Sequence, residues 1–113
     1  MQSTFTHERG IGVVTLAGIL SAGQVDGLRR RFSEWLQGEW ASGDVVVDLG
    51  GVEMIDSAGL GLLIAMLKQM ATRGDDLKLA GLRKAVRMVF ELTRTHRIFE
   101  VFDSVDEAVG KPV

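Results

Sequence analysis

The sequence predicts an α/β domain in which helices pack on a mixed β-sheet, with about four to five strands and about four to five helices. Three observations carry that expectation. Short β-branched runs at residues 11–16 (IGVVTL) and 44–49 (DVVVDL), and an alternating run at 77–80 (LKLA), alternate along the chain with segments whose apolar residues recur at helical spacing. The run DVVVDL is nearly continuous, the pattern of a strand covered on both faces and therefore central and parallel to a neighbour. The 113 residues are 46% hydrophobic, enough for one core and too few for two ordinary domains, so residues 1–113 are read as a single unit.

The elements follow in order. Residues 4–7 suggest a short edge strand before the run at 11–16. Ser21-Ala22-Gly23-Gln24 has the form of a capping box, in which side chains satisfy the orphan N–H groups at a helix start. Behind it Val25, Leu28, Phe32, Trp35 and Leu36 form an apolar stripe, Arg29, Arg30, Glu34 and Gln37 the opposite face, and the helix is expected to end near Gly38. The triplet Arg29-Arg30-Arg31 reads as a solvated helix face. After the central strand come Gly50-Gly51, a short apolar stretch, and a helix opened by Asp56-Ser57. Its stripe is Leu60, Leu63, Ile64, Leu67, Met70 and Ala71, and Gly74-Asp75-Asp76 breaks it. The strand at 77–80, a helix over 84–93 with Val86, Val89 and Phe90 inward, and a strand near 99–102 complete the alternation. Ser104-Val105-Asp106-Glu107 then opens a last helical turn as a second box. With Pro112 as the only proline, the turns fall to the 14 glycines and to Asp and Ser.

Much chemistry is excluded by composition. There is no cysteine, and His7 and His96 stand alone, so neither a thiolate nucleophile nor a metal site is expected. Thirteen Lys and Arg against 15 Asp and Glu leave a net charge of -2, without the basic excess of a nucleic-acid binder. The apolar stretch at 60–67 falls far short of the ~20 residues of a membrane-spanning helix. The N-terminus lacks the basic and apolar segments of a signal peptide, and a cytoplasmic protein is the expectation. No phosphate-binding loop and no complete G-x-G-x-x-G occurs, which argues against a small nucleotide-binding domain. Ser57 fails the nucleophile-elbow pattern because Ile55 occupies the first glycine position. Neither enzymatic activity nor a cofactor is expected.

What remains is Asp56-Ser57 at a strand-to-helix junction. As cap residues they satisfy free N–H groups of the first turn. The same partial positive charge would accommodate a phosphate on Ser57 without unfolding the domain. Such a group adds roughly -1.5 to -2 charge beside Asp56 and would change the surface while the fold stayed. Leu62 and Met66 lie off the main apolar stripe. They are expected either as a partly exposed docking patch next to that switch or as a widened core stripe.

These residues also carry a resemblance. VVVDLGGV at 45–52, followed by IDSAGLG at 55–61, resembles the signature of STAS domains, and more narrowly of bacterial anti-sigma factor antagonists. LKLAGL at 77–82, IFEVF at 98–102 and the segment 104–108 extend the resemblance over nearly the whole chain. It implies a compact mixed sheet flanked by helices and a role in partner switching. There, the unphosphorylated antagonist binds an anti-sigma factor that is also a serine-protein kinase. Phosphorylation breaks the complex, and a metal-dependent serine phosphatase restores it. Carried onto this chain, the phosphoacceptor is Ser57, with Ala58 where some relatives have a second hydroxyl. The implied partner-binding set is Ser21, Asp56, Ser57, Ala58, Gly59, Leu60, Leu62 and Met66. One departure stands out: Gly18-Ile19-Leu20-Ser21 has a serine where antagonists often carry an acid. The alternative within the same family is a STAS subunit of a bacterial phospholipid-transport ABC complex, in which Ser57 would be a cap and contact residue.

Overall fold

A computed structural model describes residues 1–8, 10–38 and 43–110; Pro112 lies outside them. The elements are β1 (Gln2–Glu8), β2 (Ile11–Leu20), α1 (Ala22–Leu36), β3 (Val45–Ile55), α2 (Ser57–Thr72), β4 (Leu77–Ala80), α3 (Lys84–Leu92), a 3-10 turn (Thr95–Arg97), β5 (Glu100–Phe102) and α4 (Val105–Ala108). The alternation of strands and helices is as expected. Strands β1, β2 and β3 are longer than their β-branched runs, because backbone pairing continues through residues whose side chains give no strand signal.

The five strands lie in the order β1-β2-β3-β4-β5. β1 and β2 form an antiparallel hairpin, and β3 is parallel to both β2 and β4, as the DVVVDL run demands. β5 adds in parallel to β4. Alternation along the strands divides the interior in two. Val14, Leu16, Val45, Val47, Leu77 and Leu79 join the main core with residues of α1, α2 and α3. Val13, Val46 and Ala80 point the other way, under Ala108 and Val109 at α4.

α1 uses its predicted stripe, with Leu28, Phe32 and Leu36 buried and Val25 and Trp35 half-buried. Trp35 packs obliquely on Phe5 of β1, ring centres 5.3 Å apart, and tethers the edge hairpin to the helix. Of the three arginines read as a solvated face, Arg31 does more. Its guanidinium hydrogen-bonds Ser3 and lies 4.9 Å from the Phe5 ring centre, a second strap from α1 to β1.

α2 departs furthest from its expected stripe. Gly59, Leu60, Leu62, Leu63, Met66 and Met70 are buried, Ile64 and Leu67 half-buried, and Ala71 exposed. The helix is covered by the sheet on one side and by α1 on another, where Ser33 and Gln69 share a hydrogen bond of 3.2 Å. The apolar arc is therefore wider than that of a surface helix. Among the described residues no helix is long and apolar enough to cross a membrane.

Candidate functional site

The site assembles where β2 and β3 end and α1 and α2 begin. Both helices start as the sequence predicts. Ser21 caps α1 in extended conformation, and its N–H and Oγ–H donate to Gln24 Oε1 at 3.2 and 2.7 Å. Asp56 caps α2, its Oδ1 accepting from Gly59 N–H at 2.8 Å. At the far end of the chain, Ser104 Oγ accepts from Glu107 N–H at 3.2 Å. The carboxylate of Glu107 takes the N–H of Asp103 rather than that of the cap residue.

Asp56 has a second function that sequence reading missed. Its Oδ2 accepts from Ala22 N–H at 3.2 Å, so one carboxylate serves the first turns of two helices that begin 35 residues apart. Its own N–H donates to Leu20 O at 3.2 Å, fixing the cap to the end of β2. The hydrogen bond from Gly59 holds the Asp56 carboxyl below its ordinary pKa of 3.8. Loss of hydration opposes this, and the Ala22 and Ala58 amides reinforce it. Position 21 is a serine, and the carboxylate at the start of α1 is that of Asp56.

Ser57 is the first residue of α2 and is exposed; its hydroxyl makes no hydrogen bond within the described residues. It stands at the positive end of the helix dipole, beside an anion already engaged with backbone N–H groups. Ala58 is half-buried behind it. Gly59 explains how closely α2 approaches the sheet: a Cβ there would lie 2.5 Å from Leu20 O and 2.8 Å from Ile55 Cγ1. Gly61 is different, since a Cβ there would meet nothing within 4 Å. Of the two glycines, Gly59 alone is required by close approach.

The structure thus brings Ser21, Asp56, Ser57 and Ala58 together at one surface, with Gly59 and Leu60 buried beneath them. It does not expose Leu62 and Met66, which are only 0% and 1% exposed. The expectation of a docking patch there is corrected: both side chains fill the core between α2 and its neighbours. The exposed apolar surface near the site is instead Ile19 and Met54, register partners on β2 and β3, 53% and 62% exposed. A signal for them existed, since both lie one residue before a buried residue at a strand end (Leu20 and Ile55) and so point to the opposite face.

Comparison with known proteins adds the following. The profile of the STAS domain matches residues 2–108. A candidate anti-sigma factor antagonist of Bordetella bronchiseptica is 30% identical over 110 residues, covering 97% of this chain and 93% of its own length. Among solved structures, a candidate anti-sigma factor antagonist of Thermotoga maritima superposes with a TM-score of 0.85 at 23% identity, over 96% of this chain and 92% of that one. A Bacillus cell fate determinant, SpoIIAA, solved in its phosphorylated form, superposes with a TM-score of 0.73 at 18% identity, over 96% and 97% of the two chains.

Proposed function

This chain belongs to the STAS domain family, and from that membership we propose that it is an anti-sigma factor antagonist in a partner-switching pathway, controlled by phosphorylation of Ser57. The observation that carries the proposal is the placement of Ser57: an exposed, unengaged hydroxyl at a helix N-terminus, on a platform braced by Asp56. The names of the relatives supply the class of partner, and the phosphorylated state of one structural neighbour supports the switch.

In the unphosphorylated protein the partner, an anti-sigma factor that is also a serine-protein kinase, docks over the start of α2. The exposed pair Ile19 and Met54 at the same end of the sheet gives the contact its apolar component. Phosphate on Ser57 adds roughly -1.5 to -2 charge at the centre of that surface, next to Asp56. The helix dipole stabilises the phosphate within the free protein, so the fold persists. A closely fitted partner, by contrast, meets a negative charge more than doubled that it would have to desolvate, and the complex dissociates. A serine phosphatase returns the surface to its binding state.

The test is phosphosite mapping by mass spectrometry on the chain purified from its native host with phosphatase inhibited. The proposal expects phosphate on Ser57. Stoichiometric phosphate elsewhere with Ser57 unmodified, or none at all under conditions that activate the pathway, contradicts it.

A further inference from the structure

On the side of the sheet where β4 and β5 lie, α3, the 3-10 turn and β5 line an open-sided cavity of about 300 Å3, a volume at the lower limit of small-molecule sites. Its floor is apolar: Phe90 is fully buried, Phe99 and Leu82 nearly so, and the two phenyl rings meet edge-on with centres 6.0 Å apart. Its rim carries Arg87, Glu91 and His96.

The wall that would have to fold inward to close this space is pinned. Phe90 O accepts from His96 Nδ1–H at 3.2 Å and lies within 3.3 and 3.4 Å of the hydroxyls of Thr93 and Thr95. Those hydroxyls are 2.9 Å from each other. Arg94, the one non-glycine residue with positive φ among those described, starts the turn at φ 60°. A carbonyl can only accept, so Nδ1 of His96 carries the proton and Nε2 takes no part in that bond. These bonds fix the end of α3 to the 3-10 turn, and both line the cavity.

Polar groups at the rim limit the ligand: one guanidinium, Arg87, faces one carboxylate, Glu91, beside the imidazole of His96. Among the described residues the Arg87 guanidinium is held by a 3.8 Å ion pair to Asp103, with both side chains exposed, an attachment easily exchanged for a better anion. Glu91 on the same rim opposes a second negative charge.

We infer that this cavity binds a small amphipathic monocarboxylate, its apolar body against Phe90 and Phe99 and its carboxylate on Arg87. The inference is independent of Ser57 and of the partner-switching reading.

The test is an amide chemical-shift titration of the full chain with 3-phenylpropionate, and in parallel with uncharged 3-phenylpropan-1-ol. Saturable shifts confined to residues around the cavity are expected with the acid, with a Kd in the region of about 1 mM given so small a ligand. The alcohol, and the acid on Arg87→Met, should bind about tenfold more weakly, the loss of one charge-assisted contact. Val101→Trp, which fills the cavity, should abolish the shifts. Arg87→Met keeps the aliphatic stem and decides the matter if the filled variant fails to fold. Absence of saturable shifts up to about 10 mM, tenfold above that Kd, overturns the inference. So does equal binding of acid and alcohol, or undiminished binding by Arg87→Met.

Discussion

Two neighbouring glycines on α2 should respond to the same substitution with opposite signs. A Cβ at Gly59 would sit 2.5 Å from Leu20 O, 2.8 Å from Ile55 Cγ1 and 2.9 Å from Leu20 Cγ. The first is a carbon–oxygen contact well inside the 3.0 Å below which real Cβ contacts essentially never fall, and it is backbone that cannot swing aside. Gly59→Ala must therefore push α2 outward, straining the 2.8 Å bond from Gly59 N–H to Asp56. Overpacking of this kind costs about 1–3 kcal/mol, and the steric overlap with backbone points to the upper half of that range. Alanine returns about 1 kcal/mol through helix propensity, leaving a net loss of about 1–2 kcal/mol. At Gly61 there is nothing to strike, so Gly61→Ala keeps the propensity gain and should stabilise by about 0.5–1 kcal/mol. With a urea m-value of about 2 kcal/mol/M, the midpoint falls by about 0.5–1 M for Gly59→Ala and rises by about 0.3–0.5 M for Gly61→Ala. Urea denaturation followed by circular dichroism reads both. An unchanged or raised midpoint for Gly59→Ala refutes the argument that close approach of α2 to β2 builds the site.

The other predictions concern the cap, the core and the surface. Asp56→Asn should lower the thermal midpoint at neutral pH. Because the folded-state pKa of Asp56 lies below 3.8, its ionic contribution is complete above that value and fades as pH falls through the folded pKa. The gap between wild type and Asp56→Asn should thus be constant from pH 7 to about 5 and shrink below 3.8; a gap that widens in acid contradicts the assignment. Leu62→Ala, at a fully buried position, should cost about 2.5–5 kcal/mol in urea unfolding, whereas a surface residue at that position would cost almost nothing. Met54→Gln, at a position 62% exposed, should change stability by less than about 0.5 kcal/mol while weakening capture of the proposed partner kinase; undiminished capture removes the apolar pair from the docking surface.

What the sequence revealed follows from which interactions are local. The capping residues Ser21, Asp56 and Ser104 were legible because a cap is made within four residues of its own helix. The central position of β3 was legible because burial on both faces writes itself as consecutive valines. Asp56 reaching Ala22 was not, since nothing in the spacing of two residues 34 apart reports that their helices start side by side. For Leu62 and Met66 the sequence left open a docking patch or a widened core stripe, and their burial shows the second. The stretch from Ser57 to Leu67 contains no charged residue, and so apolar a helix calls for a buried arc wider than one stripe; that signal was available. Ile19 and Met54 became visible as a patch only when the parallel register set them side by side.

The central claim, that the charge state of Ser57 decides partner binding, is tested most directly by quantitative affinity capture from the native host with wild type, Ser57→Ala and Ser57→Asp, each checked for native circular dichroism. The account predicts that an ATP-binding serine kinase is recovered with wild type and with Ser57→Ala and is lost with Ser57→Asp. Recovery of the same partners, in the same amounts, by all three forms would contradict it and leave Ser57 as part of a helix start alone.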